Sequence, residues 1–158
     1  MERSGLLTVF LTLAIICGAQ PVAKFNASPV SGCTPLLVNF QDSSTGNPTT
    51  WKWDLGNGTI SFLQNPSVTY FNPGQYSVKL VVQNSSGKDS LIKQQYISVY
   101  ALPVPGFSAP VRTGCYPLNV SFTDESLAGS GSITEWFWDF GDGTSATSQN
   151  PSHTYTNA

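Results

Sequence analysis

Most side chains that could do chemistry in this sequence lie in a phrase that occurs twice, W-K-W-D-L-G-N-G-T at residues 51–59 and W-F-W-D-F-G-D-G-T at residues 136–144. Asp139 and Asp142 flank a glycine turn in the second copy, and carboxylates grouped in this way can bind a hard cation such as calcium. The first copy has Asn57 where the second has a carboxylate, and neither phrase has as many ligands as an EF-hand loop. We therefore expect these side chains to hydrogen-bond the backbone of their own turns, with no metal bound.

Histidine chemistry is limited to a single position. Nucleophilic catalysis of the Ser-His-Asp kind needs a histidine that can shuttle a proton, and the sequence offers only His153. The equivalent residue of the first copy is Val68, which predicts a packing or surface role for this position. The sequence also lacks the spacing of a Cys/His metal cluster, a phosphate-binding loop and a paired-glycine dinucleotide motif. We expect no catalytic residue and no cofactor, and the chain is predicted not to be an enzyme.

The four tryptophans could instead form a platform on which sugar rings stack. In the first phrase, Trp51, Trp53 and Leu55 alternate with polar residues, which places them together on one face of a strand. In the second phrase, Trp136, Trp138 and Phe140 have the same spacing. We therefore predict that both tryptophan pairs pack in a hydrophobic core. Phe62 and Phe71 are the better candidates for exposed aromatic side chains.

These phrases belong to a duplicated module of about 80 residues, and such internal repeats decide the architecture. Each phrase is followed at the same distance by Q-N-P-S-x-T-Y, at residues 64–70 and 149–155. Upstream, residues Phe25 to Asp42 match Phe107 to Asp124 at a separation of 82, which rises to 85 from Trp51 onward. The added residues lie in a Gly- and Ser-rich stretch after Asp124, as is typical of a loop insertion.

The repeat predicts the domain organisation. Residues 20–100 form a complete module one, residues 101–105 a connector stiffened by two prolines, and residues 106–158 a module two that stops before its last strands. Module two has no counterpart of residues 76–82 and 91–100. We expect it to have open sheet edges and an unfilled apolar face. The polypeptide is predicted to be the N-terminal part of a longer protein, and the missing C-terminal part is its expected partner.

Residues 1–19 have the features of a secretory signal peptide. A positively charged start precedes an apolar run from Leu6 to Ile16, and small residues then lead to a cleavage point near Ala19 and Gln20. The run is too short to span a bilayer. The alternative is a lipoprotein signal with Cys17 as the acylated residue, which the bulky side chain before it disfavours. The mature protein is predicted to be secreted or cell-surface bound, with no integral membrane segment.

Removal of this signal leaves two cysteines, Cys33 and Cys115, at equivalent positions of the two modules. Export favours disulfide formation, but a bond between these two would need unusual contact between modules. Two interpretations stay open. The cysteines are small buried thiols, or each expects a partner later in its own module. Module one has no second cysteine, so a free thiol is expected at Cys33.

Composition and patterning predict an all-β fold. Charged residues are 10% of the chain, the formal net charge is −2 and no basic stripe occurs, so nucleic-acid binding is not expected. Short alternating strands are predicted at residues 22–25, 36–40, 51–55, 68–70, 76–82 and 91–100. About seven strands with turn signals every 8–12 residues or so indicate a two-sheet sandwich.

The repeated phrase, followed by N-P-S-x-T-Y and N-P-G-Q-Y-S-V-K-L, resembles the PKD (polycystic kidney disease) domain. The similarity extends from Gln20 to the end, and S-G-C-x-P-L-x-V-x-F at residues 31–40 is similar to bacterial cell-surface versions, especially arrays in secreted Bacteroidetes proteins. The resemblance implies an extracellular, non-catalytic, immunoglobulin-like β-sandwich used as a spacer or adhesive module. In several relatives a second cysteine follows the Y-x-V-x-L strand, near the position of Lys88 in this chain. The matching motif residues are structural: Trp53, Asp54, Gly56, Gly58, Tyr76, Trp138, Asp139, Gly141 and Gly143.

Two functions follow as expectations. The first is a non-catalytic repeat protein whose modules act as spacers or adhesion units, with weak contacts to extracellular proteins or glycans. The alternative is an accessory substrate-binding region of a larger secreted hydrolase that degrades polysaccharide or protein. The sequence that follows residue 158 would separate the two.

Overall fold

The computed structural model describes residues 18–156, and these form strands and turns only. Within that range no helix is long and apolar enough to cross a membrane. Residues 1–17 of the predicted signal peptide, with Cys17, and the last two residues lie outside it. The prediction of an all-β chain is confirmed.

Module one contains eight strands in two sheets. One sheet has three strands in the order β1-β3-β6, and the other has five in the order β2-β8-β7-β4-β5. Only the pairing of β2 with β8 is parallel. The strands are β1 (Phe25–Ser28), β2 (Ser31–Cys33), β3 (Leu36–Asp42), β4 (Thr50–Asp54), β5 (Ile60–Ser61), β6 (Ser67–Tyr70), β7 (Gly74–Asn84) and β8 (Gly87–Tyr100).

Side-chain alternation along these strands produces the core. In β3, Leu36, Val38 and Phe40 are buried and the residues between them are exposed, as expected for a strand with one face in the core. The two sheets enclose one cluster of buried apolar side chains, which confirms the sandwich. Its other members are Ala23, Phe25, Trp53, Leu55, Tyr70, Val78, Leu80, Val82, Ile97 and Val99.

Trp53 lies at the centre of this cluster with 0% of its surface exposed. Its ring packs edge-on against Phe25, with centroids 5.1 Å apart, and tilted against Phe40 at 5.7 Å. In the backbone register it lies opposite Leu80 of β7. The fully buried indole therefore joins residues from both sheets.

Module two repeats the first part of this arrangement with shorter strands. These are β9 (Phe107–Ser108), β10 (Leu118–Ser121), β11 (Thr123–Asp124), β12 (Trp138–Asp139), β13 (Ser145–Ala146) and β14 (Ser152–Tyr155). They pair two by two, as β10 with β14, β11 with β9 and β12 with β13. Among the described residues of this module, only Val120 and Pro151 are buried.

Strand β12 shows why module two is less regular. The first three residues of its counterpart β4 are paired with β7 alone, whereas Trp53 and Asp54 are also paired with β5. In module two the described residues contain no counterpart of β7, so only the part paired with β13 remains a strand. The shortening is thus a direct consequence of one absent neighbour.

The connector between the modules is hydrogen-bonded to module two. Val104 exchanges two backbone hydrogen bonds with Leu127, each 2.9 Å long, as Val22 does with Thr45 at the start of module one. Ser130 of the inserted loop accepts a hydrogen bond from the backbone N–H of Ala101 through its Oγ, at 2.7 Å. Residues 101–104 therefore run along module two.

Strand boundaries differ from the sequence-based prediction at the start of module one. A strand was expected over residues 22–25, but β1 begins only at Phe25, and Val22 makes an isolated bridge to Thr45. The Val-Ala-Lys-Phe pattern fits a strand, yet the partner available to its first residues is a loop. Local alternation of apolar and polar residues specifies the inward and outward faces of a strand, but it does not specify how long the neighbouring strand is.

Candidate functional site

The repeated phrase forms a tight turn whose polar side chains bind their own backbone. In module one the Oδ1 atom of Asp54 accepts a hydrogen bond from the N–H of Gly56 at 3.0 Å, and that of Asn57 accepts one from Thr59 at 3.1 Å. Module two repeats both, with Asp139 accepting from Gly141 at 2.9 Å and Asp142 from Thr144 at 3.0 Å. These are the contacts expected of Asx turns, and they occupy one oxygen of each side chain.

Glycine is required at the first of the two glycine positions in each turn. Gly56 has φ of 80° and Gly141 has φ of 82°, in the left-handed region that other residues enter at a cost. A Cβ atom at Gly56 would also collide with the backbone carbonyl of Ser77 in β7, whereas one at Gly141 would meet nothing within 4 Å. The two turns share a conformation but not their surroundings.

A second repeated site links the tryptophan strand to the Q-N-P-S segment. The indole Nε1 of Trp51 donates to Oδ2 of Asp42 at 2.8 Å, and the side chain of Gln64 donates to the same oxygen at 3.2 Å. Asn65 accepts a hydrogen bond from the backbone N–H of Asp42 at 2.8 Å. We call this cluster the carboxylate clasp.

Module two has the same clasp with nearly the same distances. Trp136 donates to Asp124 at 2.8 Å, Gln149 donates to it at 3.1 Å, and Asn150 accepts from its backbone N–H at 2.8 Å. The repeat aligns these two aspartates, but the sequence pattern indicates no role for them. The signal that could have identified them is an Asp upstream of the W-x-W-D phrase in both copies, 9 residues before it in module one and 12 in module two, together with a Gln-Asn pair at the same distance after it.

Hydrogen bonds lower the pKa of the clasp carboxylates. Burial raises the pKa of Asp42, but hydrogen bonds from Ser44, Trp51 and Gln64 outweigh it and hold the pKa below its ordinary value. In module two, hydrogen bonds, chiefly from Ser126, lower the pKa of Asp124 to about 2. Both carboxylates are therefore ionised acceptors at neutral pH and poor candidates for a general acid.

His153 is half-buried and has defined partners. Its Nε2 lies 2.7 Å from Oδ2 of Asp142, and its ring stacks parallel on Phe140 with centroids 4.4 Å apart. Hydrogen bonds from Thr144, then from His153, lower the pKa of Asp142 to about 2. The sequence predicts a packing or surface role for this histidine, which agrees with its ring stack on Phe140, but its contact with Asp142 is not predicted. The sequence signal for this contact is that two residues differ together between the copies, with Asp142 in place of Asn57 and His153 in place of Val68.

The motif residues occupy structural positions. Trp53 is buried, and its Nε1 donates to the carbonyl of Leu63 at 2.9 Å; Trp138 makes the same bond to Ser148 but is only half-buried. Tyr76 is half-buried and donates from its hydroxyl to the carbonyl of Asn72 at 2.7 Å. Gly58 and Gly143 both have φ of 87° with open space around them.

Neither cysteine is a buried thiol, so that interpretation of Cys33 and Cys115 is wrong. Both are exposed and unpaired among the described residues. Cys33 is the last residue of β2, whose partner β8 aligns it with Tyr100, and its side chain lies on the outer face of that edge. The short Cys side chain predicted burial, but position at a sheet edge decides its exposure.

The two aromatic side chains that the sequence suggested as exposed are exposed, and Phe137, at 75%, is more so. Phe62 and Phe71 are 70% and 72% exposed. Within residues 18–156 no group of three or more His, Cys, Asp or Glu side chains is arranged to hold a metal ion. The acidic turns use their oxygens on backbone and side-chain hydrogen bonds instead.

Module two has two sizeable openings at its surface. A cavity of about 700 Å³ is bordered by Phe107, Phe122, Trp138 and Phe140, and a second of about 510 Å³ shares Phe107 and Phe122. Their linings also include the prolines of the connector and Tyr155. The equivalent space in module one is filled by its own core.

Comparison with known proteins identifies the repeat. A family model of the PKD domain matches residues 18–99 and again residues 101–158. The chain is 39% identical over 79 residues to the pre-pro-metalloprotease PrtV of Vibrio cholerae serotype O1, which covers 50% of this chain and 8% of that protein. It is 35% identical over 66 residues to collagenase ColA of Bacillus cereus, which covers 39% of this chain and 7% of that protein. The chain thus spans less than a tenth of the length of these relatives.

Two solved structures are similar as well. The PKD1 domain of Vibrio anguillarum Epp is 29% identical, covering 50% of this chain and 94% of that chain with a TM-score of 0.43. The PKD1 domain of the Vibrio cholerae metalloprotease PrtV is 30% identical, covering 49% of this chain and 96% of that chain with a TM-score of 0.42.

Proposed function

Because this chain belongs to the PKD domain family, we propose that it is a non-catalytic part of a secreted or cell-surface protein, in which its modules act as spacers. The PKD domain is a non-catalytic module of the immunoglobulin-like type. In this role a module holds other parts of the protein at a distance and makes only weak contacts with extracellular proteins or glycans.

One observation carries this proposal: the polar and aromatic side chains that could bind a ligand are hydrogen-bonded or buried within their own module. Asp54 and Asn57 bind their turn, Asp42 accepts three side-chain or backbone donors, and Trp53 is enclosed in the core. Groups held in this way stabilise a rigid unit and are not available to a substrate. Module one is therefore suited to bear mechanical load or to hold other parts of the protein apart.

Single-molecule stretching of the full chain, held at its two ends, tests the spacer role. Module one should unfold in one discrete step and lengthen the chain by roughly 250 Å, the extended length of about 80 residues less the folded span. Trp53→Ala should lower the force of this step, whereas Leu37→Ser, on the outer face of β3, should leave it unchanged. A gradual extension with no discrete step would contradict the proposal.

The second candidate, an accessory region of a larger secreted protease, is supported by the two curated relatives. One is named a metalloprotease and the other a collagenase, and the similarity is confined to a small part of each. In this role the modules would help the enzyme to engage a protein substrate. Phe62 and Phe71 provide exposed aromatic side chains on module one for such contacts.

A sedimentation assay separates the two candidates. The full chain is mixed with fibrillar collagen, cellulose or chitin and the bound fraction is measured. Retention on collagen that is lost in the double variant Phe62→Ser and Phe71→Ser, but kept in Leu37→Ser, supports the accessory role. No retention on any of the three solids supports the spacer role.

A further inference from the structure

The turn of module one contains Asn57, which is the one asparagine in the sequence that precedes a glycine. An asparagine side chain can react with its own backbone, because the nitrogen of the following residue can attack the side-chain amide carbon. Glycine favours this attack, since no side chain shields its nitrogen. Four asparagines precede proline, which has no N–H to lose and cannot react in this way: Asn47, Asn65, Asn72 and Asn150.

The nitrogen that would attack Asn57 is free. Within residues 18–156, the backbone N–H of Gly58 donates to no acceptor, whereas that of Thr59 donates to Oδ1 of Asn57. All three residues are exposed, and a Cβ atom placed on Gly58 would meet nothing within 4 Å. Hydroxide from solvent can therefore reach the N–H of Gly58 and remove its proton.

The side-chain amide of Asn57 is held ready for this attack. Its Oδ1 accepts the hydrogen bond from Thr59 at 3.1 Å, so negative charge that develops on this oxygen is stabilised. Its Nδ2 donates no hydrogen bond among the described residues, and the side chain is exposed. Ammonia can therefore leave into solvent without breaking a contact.

Asn84 shows the opposite arrangement. Its Nδ2 donates to the carbonyls of Ala19 and Gly46, at 2.9 and 2.7 Å, and its Oδ1 accepts from the backbone N–H of Ser86 at 2.8 Å. Loss of this amide would break two hydrogen bonds, and the residue that follows, Ser85, has a side chain. This asparagine is therefore held against reaction.

Module two shows that the turn accepts the product. Asp142 has the position of Asn57, and its Oδ1 accepts from the backbone N–H of Thr144 at 3.0 Å, as Asn57 does from Thr59. An aspartate at residue 57 would thus keep the hydrogen bond of the turn. It would add one negative charge to a chain whose formal net charge is −2.

We propose that Asn57 and Gly58 form a site of spontaneous modification, at which the side chain of Asn57 is converted to aspartate and isoaspartate without an enzyme. The deprotonated nitrogen of Gly58 forms a bond to Cγ of Asn57, the bond from Cγ to Nδ2 breaks, and Nδ2 takes up a proton and leaves as ammonia. Water then opens the resulting succinimide at either carbonyl. One opening gives aspartate. The other gives isoaspartate, which adds a carbon atom to the main chain and alters the turn between β4 and β5.

The test is ageing of the full chain at mildly alkaline pH, followed by tryptic digestion and mass spectrometry. Cleavage after lysine places Asn57 and Asn84 in separate peptides, residues 53–79 and 80–88. Asn57 should be converted at least ~10-fold faster than Asn84, which must first give up two hydrogen bonds. Equal rates, or faster conversion of Asn84, would overturn the proposal.

Repeating the ageing in concentrated urea measures what the fold contributes. Unfolding releases Asn84 from its hydrogen bonds, so the ratio of the two rates should become smaller. Unfolding also removes the bond from Thr59 to Asn57, so Asn57 should react no faster in urea than in the folded chain. A ratio that stays the same or grows, or a marked acceleration of Asn57 on unfolding, would refute the role of the turn.

Substitution of the glycine tests the attacking nitrogen. Gly58→Ala should slow the conversion of Asn57 several-fold, because the new methyl group shields this nitrogen. Gly143→Ala is the matched control and should leave the rate unchanged, since Gly143 has the same φ of 87° and equally open surroundings. An unaltered rate in Gly58→Ala would count against the proposal.

The products provide a test that needs no variant. A succinimide opens at both carbonyls, so the aged chain should contain isoaspartate as well as aspartate at residue 57. Isoaspartyl methyltransferase labels isoaspartate alone and should label the peptide of residues 53–79. Aspartate without isoaspartate would indicate direct hydrolysis of the amide and would contradict the attack by Gly58.

Discussion

Trp53 and Trp138 occupy the same position of a repeated sequence, with the same indole hydrogen bond and the same aromatic neighbours. Trp53 is fully buried because its strand β4 lies inside a five-stranded sheet that packs against the three-stranded sheet, whereas Trp138 is left half-buried beside a cavity. The two tryptophans thus have the same local sequence and the same local geometry, but they differ in burial. The comparison shows that the phrase builds its turn and its clasp by itself but needs the β7 and β8 hairpin to make a core.

The largest expected difference between the modules concerns these two indoles. Trp53→Ala should lower the free energy of unfolding of module one by about 3–5 kcal/mol, because it removes a large side chain from a closed core. Trp138→Ala should cost clearly less, since that side chain is already partly exposed to solvent. Guanidinium unfolding followed by circular dichroism measures the first, and segment-resolved hydrogen exchange the second. Equal losses would mean that module two is as closed as module one.

The two turn glycines give the next largest contrast. Gly56→Ala and Gly141→Ala both place a side chain in the left-handed region, at a cost of about 1–2 kcal/mol. Only at Gly56 does the new methyl collide with the carbonyl of Ser77, which adds about 1–3 kcal/mol of overpacking. Thermal unfolding of the two variants should therefore show the larger loss for Gly56→Ala. A larger loss at Gly141 would contradict the placement of β7.

The repeated tyrosines should differ by a smaller amount. Tyr70 donates its hydroxyl to the carbonyl of Leu55 at 2.7 Å in the core, and Tyr155 donates to Phe140 at 3.1 Å in a half-buried place. Burial raises the pKa of Tyr70, so the hydroxyl stays protonated. Tyr70→Phe leaves a buried carbonyl unsatisfied and should cost about 1–3 kcal/mol, while water can replace the lost donor in Tyr155→Phe. Denaturant titration of each variant checks this order.

The smallest contrast is the acid dependence of the second polar position of the turn, which is a carboxylate only in module two. The pKa of Asp142 is lowered from 3.8 to about 2 by Thr144 and His153, and the first copy has Asn57 there. A carboxylate with a lowered pKa stabilises the fold above its ordinary pKa and loses this effect as pH falls towards the folded pKa. The carboxyl carbon signal of Asp142 in NMR should therefore titrate near pH 2, and Asp142→Asn should weaken the acid dependence of exchange at residues 142–144. Titration of Asp142 near pH 4 would show that the pair with His153 does not form.

Much of this architecture could be predicted because the sequence contains two copies of one module, which can be compared with each other. Positions that keep their residue in both copies, such as Trp53 and Trp138, identified the core face, and Gly56 and Gly141 identified the turn. The carboxylate clasp was missed because Asp42 and Gln64 are far apart in sequence and neither residue type is unusual in a loop. The exposure of Cys33 was missed because it depends on its place at the edge of the parallel β2 and β8 pair, which no local pattern specifies.

Segment-resolved hydrogen exchange of the full chain tests most directly whether one module is closed and the other open. Amides of residues 51–55 and 78–82 should exchange only through unfolding of module one, at least ~100-fold more slowly than the matching amides of residues 136–140. Equal protection of the two tryptophan strands would contradict the account.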